Sequence, residues 1–201
     1  MRIDDFKAAL RGGGARPNLF RVDGQFPNVA SGALATIGRS VFGEVGQDIG
    51  TVAGNLLGGG GPSRQIPFLA RAASIPASTI GDIPISYRGR QIHIPGDRTF
   101  SPWSLTIIND TDFALRDAFE QWANLINSHE GNIGTQGLAN VVQEWQVTQL
   151  SKGGESLKTY KFVDCWVSEV SDITLDFETS NSIETFTVTL QYSYWTSNST
   201  T

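Results

Sequence analysis

Residues 88–122, RGRQIHIPGDRTFSPWSLTIINDTDFALRDAFEQW, pass from strand periodicity to helix periodicity around a Gly-Asp-Arg-Thr-Phe core. Ile92 and Ile94 alternate with His93 as in a half-buried strand, and Pro95-Gly96 reads as a break in that run. Leu105, Ile107 and Ile108 form a second short apolar strand. Residues 109–112 then offer oxygens for a helix N-cap. Leu115, Phe119, Trp122 and Ile126 follow at i, i+4, i+7 and i+11, a stripe that turns one apolar face toward a sheet, with Gly131 as the expected stop. This spacing assigns Phe113, Phe119 and Trp122 to a helix–sheet core.

On the N-terminal side, residues 85–87 and 91–94 form a predicted hairpin with Arg88-Gly89 as its two-residue turn. A strand is expected over 68–73, with Pro76, Gly81 and Pro84 punctuating the route between. Further back, residues 4–10 read as a short helix and 18–26 as the first strand, with Phe20, Val22 and Phe26 on one face. On the C-terminal side, 144–150 and 157–167 flank SKGGES, a hairpin signal because Gly153-Gly154 supplies positive φ. Residues 173–177 and 183–195 repeat the strand pattern. The expected fold is mainly β: an antiparallel β-barrel or sandwich with one packed α-helix.

The last strand separates two faces. Phe186, Val188, Leu190, Tyr192 and Tyr194 point one way, and Thr185, Thr187, Thr189, Gln191 and Ser193 the other. The second face is polar and uncharged, which fits a strand inside an assembly or lining a conduit, or a Thr-rich exposed strand favoured by β propensity.

Residues 28–65 differ from the rest and read as a Gly-rich insertion in a single domain spanning 1–201. Leu34, Ile37, Val41, Val45, Ile49, Val52 and Leu56 recur at helical steps while Gly46, Gly50 and Gly54 sit four apart, so the segment is a small-residue helix or a disordered loop. Arg39, Glu44 and Asp48 interrupt any membrane-contact reading of the glycine pattern, and GGGGPS at 58–63 is the expected exit linker.

At 201 residues the chain can bury a substantial core. Its net charge of −5 and scattered basic residues disfavour static binding to nucleic acid. No apolar run reaches the roughly 18 residues of a membrane span, and MRIDDFKAAL lacks the apolar stretch of a signal peptide, so synthesis in the cytoplasm and no stable membrane association are expected. Cys165, the single cysteine, lies in the strand pattern YKFVDCWV and reads as a small buried residue. His93 and His129 have no second ligand at metal spacing. No nucleophile elbow, phosphate loop or cysteine-pair motif occurs, so neither a catalytic site, a metal nor a cofactor is expected. Asp97 and Arg98, between a strand end and Phe100 and Trp103, suit either a turn lock or an intersubunit salt bridge.

ARPNLF at 15–20, IPISYRGRQIHIPGDRTFSPWSLTIINDTDFALRDAFEQW at 83–122 and SNSIETFTVTLQYSYW at 180–195 occur in an order that resembles the tail tube proteins of T4-type contractile bacteriophages. The GDRTF element followed by a W-x-[VL]-x-[VI]-x-N-D strand and a helix is the specific part. The resemblance implies a structural virion protein. Six-fold rings of it stack into the inner tube, contact the tail sheath, baseplate and tail terminator, and pass DNA through the lumen during ejection. It further implies that the segment around 76–98 reaches toward the next ring, which makes Tyr87, Arg88, Arg90, Asp97 and Arg98 stacking candidates. The 28–65 insertion departs from the family and leaves a tube initiator or baseplate-hub protein open. A type VI secretion tube protein is a further relative, and a ligand-binding β-barrel is the alternative from another class.

Overall fold

In the computed structural model, residues 2–10, 14–27, 62–134 and 137–200 are described. The reading of 29–57 as helix or loop lies outside them. Two strands with in-out alternation organise the rest. β6 (Gln143–Leu150) buries Trp145 and Val147, and β7 (Ser156–Val170) buries Phe162, Cys165 and Val167. They pair antiparallel across the 151–155 turn, where Gly154 takes φ +83 and Ser151 Oγ accepts from the amides of Gly153 and Glu155.

The sheet order is β1-β6-β7-β8-β5-β2, every pairing antiparallel. Its other members are β1 (Phe20–Gly24), β2 (Ala70–Ala73), β5 (Trp103–Ile108) and β8 (Thr185–Gln191), while β9 (Tyr194–Ser197) also pairs with β7. β7 serves two sheets. Tyr160 to Val163 pair with β9, Trp166 to Val170 with β8, and Asp164 between them adopts φ +57. A left-handed residue at that point bends the strand from one sheet into the other, as a bulge does at a sandwich corner. The path of strands ends at β1 and β2 without closing, giving an open barrel or sandwich.

The core lies between the sheets and α3 (Ala114–Ile126), which buries Leu115, Ala118, Phe119 and Trp122. It is aromatic at its centre. Trp103 stacks on Phe162 at 4.3 Å, and Phe26 meets Phe119 edge-on at 4.9 Å. The three fully buried indoles each donate to a main-chain oxygen: Trp103 to Ser74, Trp122 to Val141 and Trp145 to Gln25. Gly24 lies so close over the Trp145 indole that any Cβ would enter the ring.

Several expectations need correction. Residues 68 and 69 belong to a helix, α2 (Pro62–Leu69), and only Ala70–Ala73 is strand; Pro62 and Ser63, expected in the linker, open that helix, as proline's fixed φ allows. Ile66 in α2 is buried in the core. The α3 N-cap is Phe113 itself, in the left-handed region at φ 53 with no side-chain cap, and it is 43% exposed. It therefore escapes the helical stripe and the core, unlike Phe119 and Trp122. The helix stops at Ile126, not Gly131, with Asn127 extended. Residues 173–177 pair with no strand. Finally, β8 ends at Gln191, and the chain turns at Ser193 before β9, so Tyr194 is exposed and not on the buried side. The short N-terminal helix α1 (Ile3–Ala9) matches expectation, with Ile3 and Phe6 exposed.

Candidate assembly surface

Between β2 and β5 the chain leaves the body as a two-stranded ribbon, β3 (Ser78–Tyr87) and β4 (Arg90–Phe100), hydrogen-bonded only to each other. The turn forms because Arg88 (φ 48) and Gly89 (φ 80) both take positive φ, the combination a tight two-residue hairpin turn requires. Pro95-Gly96 does not break the strand. The register runs Ile80↔Arg98 and then Asp82↔Pro95, so β4 carries one extra residue at Gly96-Asp97, a bulge that adds twist. Gly96 suits the position because a Cβ there would come within 3.2 Å of the Gly81 oxygen.

Ile83, Ile85 and Tyr87 on β3 lie opposite Ile94, Ile92 and Arg90 on β4, which puts four isoleucines and a tyrosine on one face. Each of the five is 42–58% exposed. Ile92 and Ile94 were expected half-buried, and the alternation is real, but no layer among the described residues covers it. The opposite face is polar and carries the ion pair of His93 Nδ1 with Asp82 Oδ2 at 2.7 Å. Ten residues in β3 and eleven in β4 make an arm about 30 Å long.

The root, by contrast, is fixed. Trp103 Nε1 donates to Ser74 O at 2.8 Å, Tyr192 Oη to Ser101 O at 2.8 Å and Trp195 Nε1 to Ala77 O at 3.3 Å. Phe100 packs on Tyr192 and Trp195. Burial, and secondarily the electrostatic effect of Cys165, raise the Tyr192 hydroxyl above its ordinary value, which keeps it a hydrogen-bond donor.

The five stacking candidates all fall on this arm. Tyr87, Arg88 and Arg90 form its tip, with the Arg88 guanidinium 5.4 Å from the Tyr87 ring centre. Asp97 and Arg98 sit near the root, exposed, and their side chains make neither an ion pair nor a hydrogen bond among the described residues, although Arg98 pairs with Ile80 in the ladder. Thr185, Thr187, Thr189 and Gln191 share the half-buried polar face of β8, while Ser193 lies beyond the strand and donates its amide to Val163 O. What the sequence reading missed is the root clamp. Its signal is Tyr192 and Trp195 flanking the break in the last strand, an aromatic cluster that alternation alone assigns to the core.

Among the described residues no group of side chains is arranged to hold a metal ion. His129 Nδ1 is 3.0 Å from Asn124 Oδ1, a local contact. No helix among the described residues is long and apolar enough to cross a membrane.

Comparison with known proteins places this geometry. The tail tube protein gp19 of Enterobacteria phage T4 is 28% identical over 198 residues, covering 97% of this chain and 99% of that protein. The tail tube protein of Serratia phage KSP90 is 24% identical, covering 94% and 93% respectively. In fold, the chain is similar to one from the sheath–tube complex of the PVC extracellular contractile injection system, with TM-score 0.53, 12% identity and 96% of each chain covered. The tube-terminating cap of the anti-feeding prophage gives TM-score 0.53 at 18% identity over 64% of this chain and 79% of the other. The family model for phage tail tube protein matches residues 15–198, and this chain belongs to that family, as a structural component of the virion tail.

Proposed function

We propose that copies of this chain close into six-fold rings and that the rings stack, through the β3–β4 arm, into the hollow inner tube of a contractile tail. The observation that carries the proposal is the arm itself. A lone two-stranded ribbon with both faces in water is marginally stable, and an apolar face of four isoleucines and Tyr87 acquires a purpose once a neighbouring copy covers it. The root clamp holds the arm out from the body, so its direction is set before assembly. Within a ring, the unclosed ends of the sheet at β1 and β2 offer edges for pairing between neighbours, which a heterologous contact that closes on itself would satisfy.

The same reading gives the half-buried Thr185, Thr187, Thr189 and Gln191 a place in a subunit contact or facing the lumen, where uncharged polar side chains neither grip nor strongly repel passing DNA. Sheath, baseplate and tail terminator are the expected partners of the finished tube. The role calls for no catalysis and no cofactor. A ligand-binding barrel is the poorer reading because Trp103, Trp122, Trp145, Phe119 and Phe162 fill the interior. The chain is read as a single domain, with 28–65 an addition to a tube subunit of which residues 62–65 open α2.

Sedimentation velocity and negative-stain microscopy of the full chain at rising concentration test this. Rings or tubes of uniform diameter are expected. Monomer alone at every concentration, including with tube-initiating partners present, would overturn it.

A further inference from the structure

We propose that the surface receiving the arm is the opposite end of the same sheet on a second copy, built from residues 109–113 and 171–184. This rests on the reading that the arm reaches a neighbouring copy, and it names where the arm lands.

The placement comes from strand register. β5 and β8 pair from Trp103↔Leu190 at one end to Ile108↔Thr185 at the other. The arm leaves at the Trp103 end, clamped by Trp103, Tyr192 and Trp195. At the Ile108 end, the Asn109 amide donates to Glu184 O at 2.9 Å and the Ser171 amide to Thr187 O at 2.8 Å, which ties the two connections to the sheet and to each other. Arm and connections thus attach at opposite ends of one strand pair. A contact between opposite ends of identical molecules is heterologous, and where its rotation does not close a ring it repeats along an axis.

The chemistry of the two ends matches. In the connections Phe113, Leu175, Phe177 and Ile183 are exposed, a second apolar surface left open by this chain. They are interleaved with Asp110, Asp112, Asp172, Asp176, Glu178 and Glu184, and neither connection contains Lys or Arg. The arm presents isoleucines and Tyr87 on one face and Arg88 and Arg90 at its tip, with no acidic residue between positions 83 and 96. Apolar area meets apolar area and arginine meets carboxylate, which gives both register and orientation. The receptor is held in shape locally: Asp176 Oδ1 accepts from the Glu178 amide at 3.0 Å, and Arg116 Nη1 donates to Ser171 O at 3.1 Å. Residues 173–177 keep strand-like alternation without a strand partner, and the arm of another copy supplies a reason for their apolar side chains.

The test uses full-length chains. Tyr87→Cys and Phe177→Cys variants are mixed during assembly and treated with a short bis-maleimide, native Cys165 being buried. A cross-linked dimer is expected from the mixture, and none from either variant alone or from Tyr87→Cys mixed with Lys152→Cys in the β6–β7 turn. In parallel, R88E/R90E and D172K/E178K should each lose long tubes, and a chain carrying all four changes should regain them. Long tubes from R88E/R90E would take the arginines out of the stacking contact and, with them, the charge pairing on which this receptor rests. Lost tubes without rescue by the combined chain, or cross-linking no better to position 177 than to 152, would leave the arm a stacking element and overturn this receptor.

Discussion

Cys165 has no exposed surface, and burial, reinforced by the charges of Asp164 and Glu144 and opposed by a backbone hydrogen bond at Trp145, pushes its thiol from 9.0 up to about 12. An acid whose pKa is raised by folding loses its proton first in the unfolded chain. Between pH 9 and 12 the unfolded state therefore binds fewer protons, and stability falls as pH rises across that window. Thermal unfolding followed from pH 8 to 11 should show this loss, and Cys165→Ala should flatten it; an unchanged slope would assign the alkaline loss to other groups. Below pH 9 the native thiol should react with maleimide only as fast as the chain unfolds. The burial of this residue was legible from YKFVDCWV, because alternation places position 165 on the same face as Val167; Phe162, three residues back, shares that side only because the strand slips its period at Asp164. The left-handed Asp164 next to it was not, since a continuous strand pattern carries no mark of where the strand passes from one sheet to another. Phe113 was misassigned for a related reason: a residue at a cap with positive φ no longer obeys the period of the helix it precedes.

Among elements, the arm shows how alternation can be read correctly and still mislead. The sequence marks Ile92 and Ile94 as one face of a strand, 85–87 as its partner and Arg88-Gly89 as the turn, and these are as built, with Ile83 and Ile85 joining the same face. Period alone does not say what covers a face, and here the face is exposed. The same ambiguity turned residues 173–177 into an expected strand. Independence of arm and body has a measurable consequence. No residue from 78 to 99 belongs to the buried core cluster, and the hydrogen bonds that clamp the root go to Ser74, Ala77 and Ser101, all outside the ribbon. Replacing residues 79–99 by a short Gly-Ser linker should leave a cooperatively folded body, with a stability change within about 1 kcal/mol because only exposed surface is removed. Circular dichroism and denaturant titration check this. A loss of several kcal/mol, or of cooperativity, would show that the ribbon supports the fold.

At the scale of the whole molecule, two electrostatic effects oppose each other during assembly. Each copy carries a net charge of −5, so bringing copies together is repulsive, while in the proposed contact Arg88 and Arg90 against the acidic far end would supply local attraction. Salt screens both. The repulsion acts over distances comparable to the screening length, about 10 Å at 0.1 M, and is reduced first. The contact attraction, partly shielded from water once the isoleucines are covered, yields more slowly. Wild-type tube yield should therefore rise from low salt, pass through a maximum and fall toward 1 M. In R88E/R90E the attractive part is gone and each copy carries −9, since each reversal removes a positive charge and adds a negative one. Whatever assembly that variant retains should then increase monotonically with salt, driven by apolar burial alone. Light scattering across a salt series distinguishes the two. Identical curves for the two proteins would mean that the arginines meet solvent in the tube, and that the apolar face of the arm carries stacking without them.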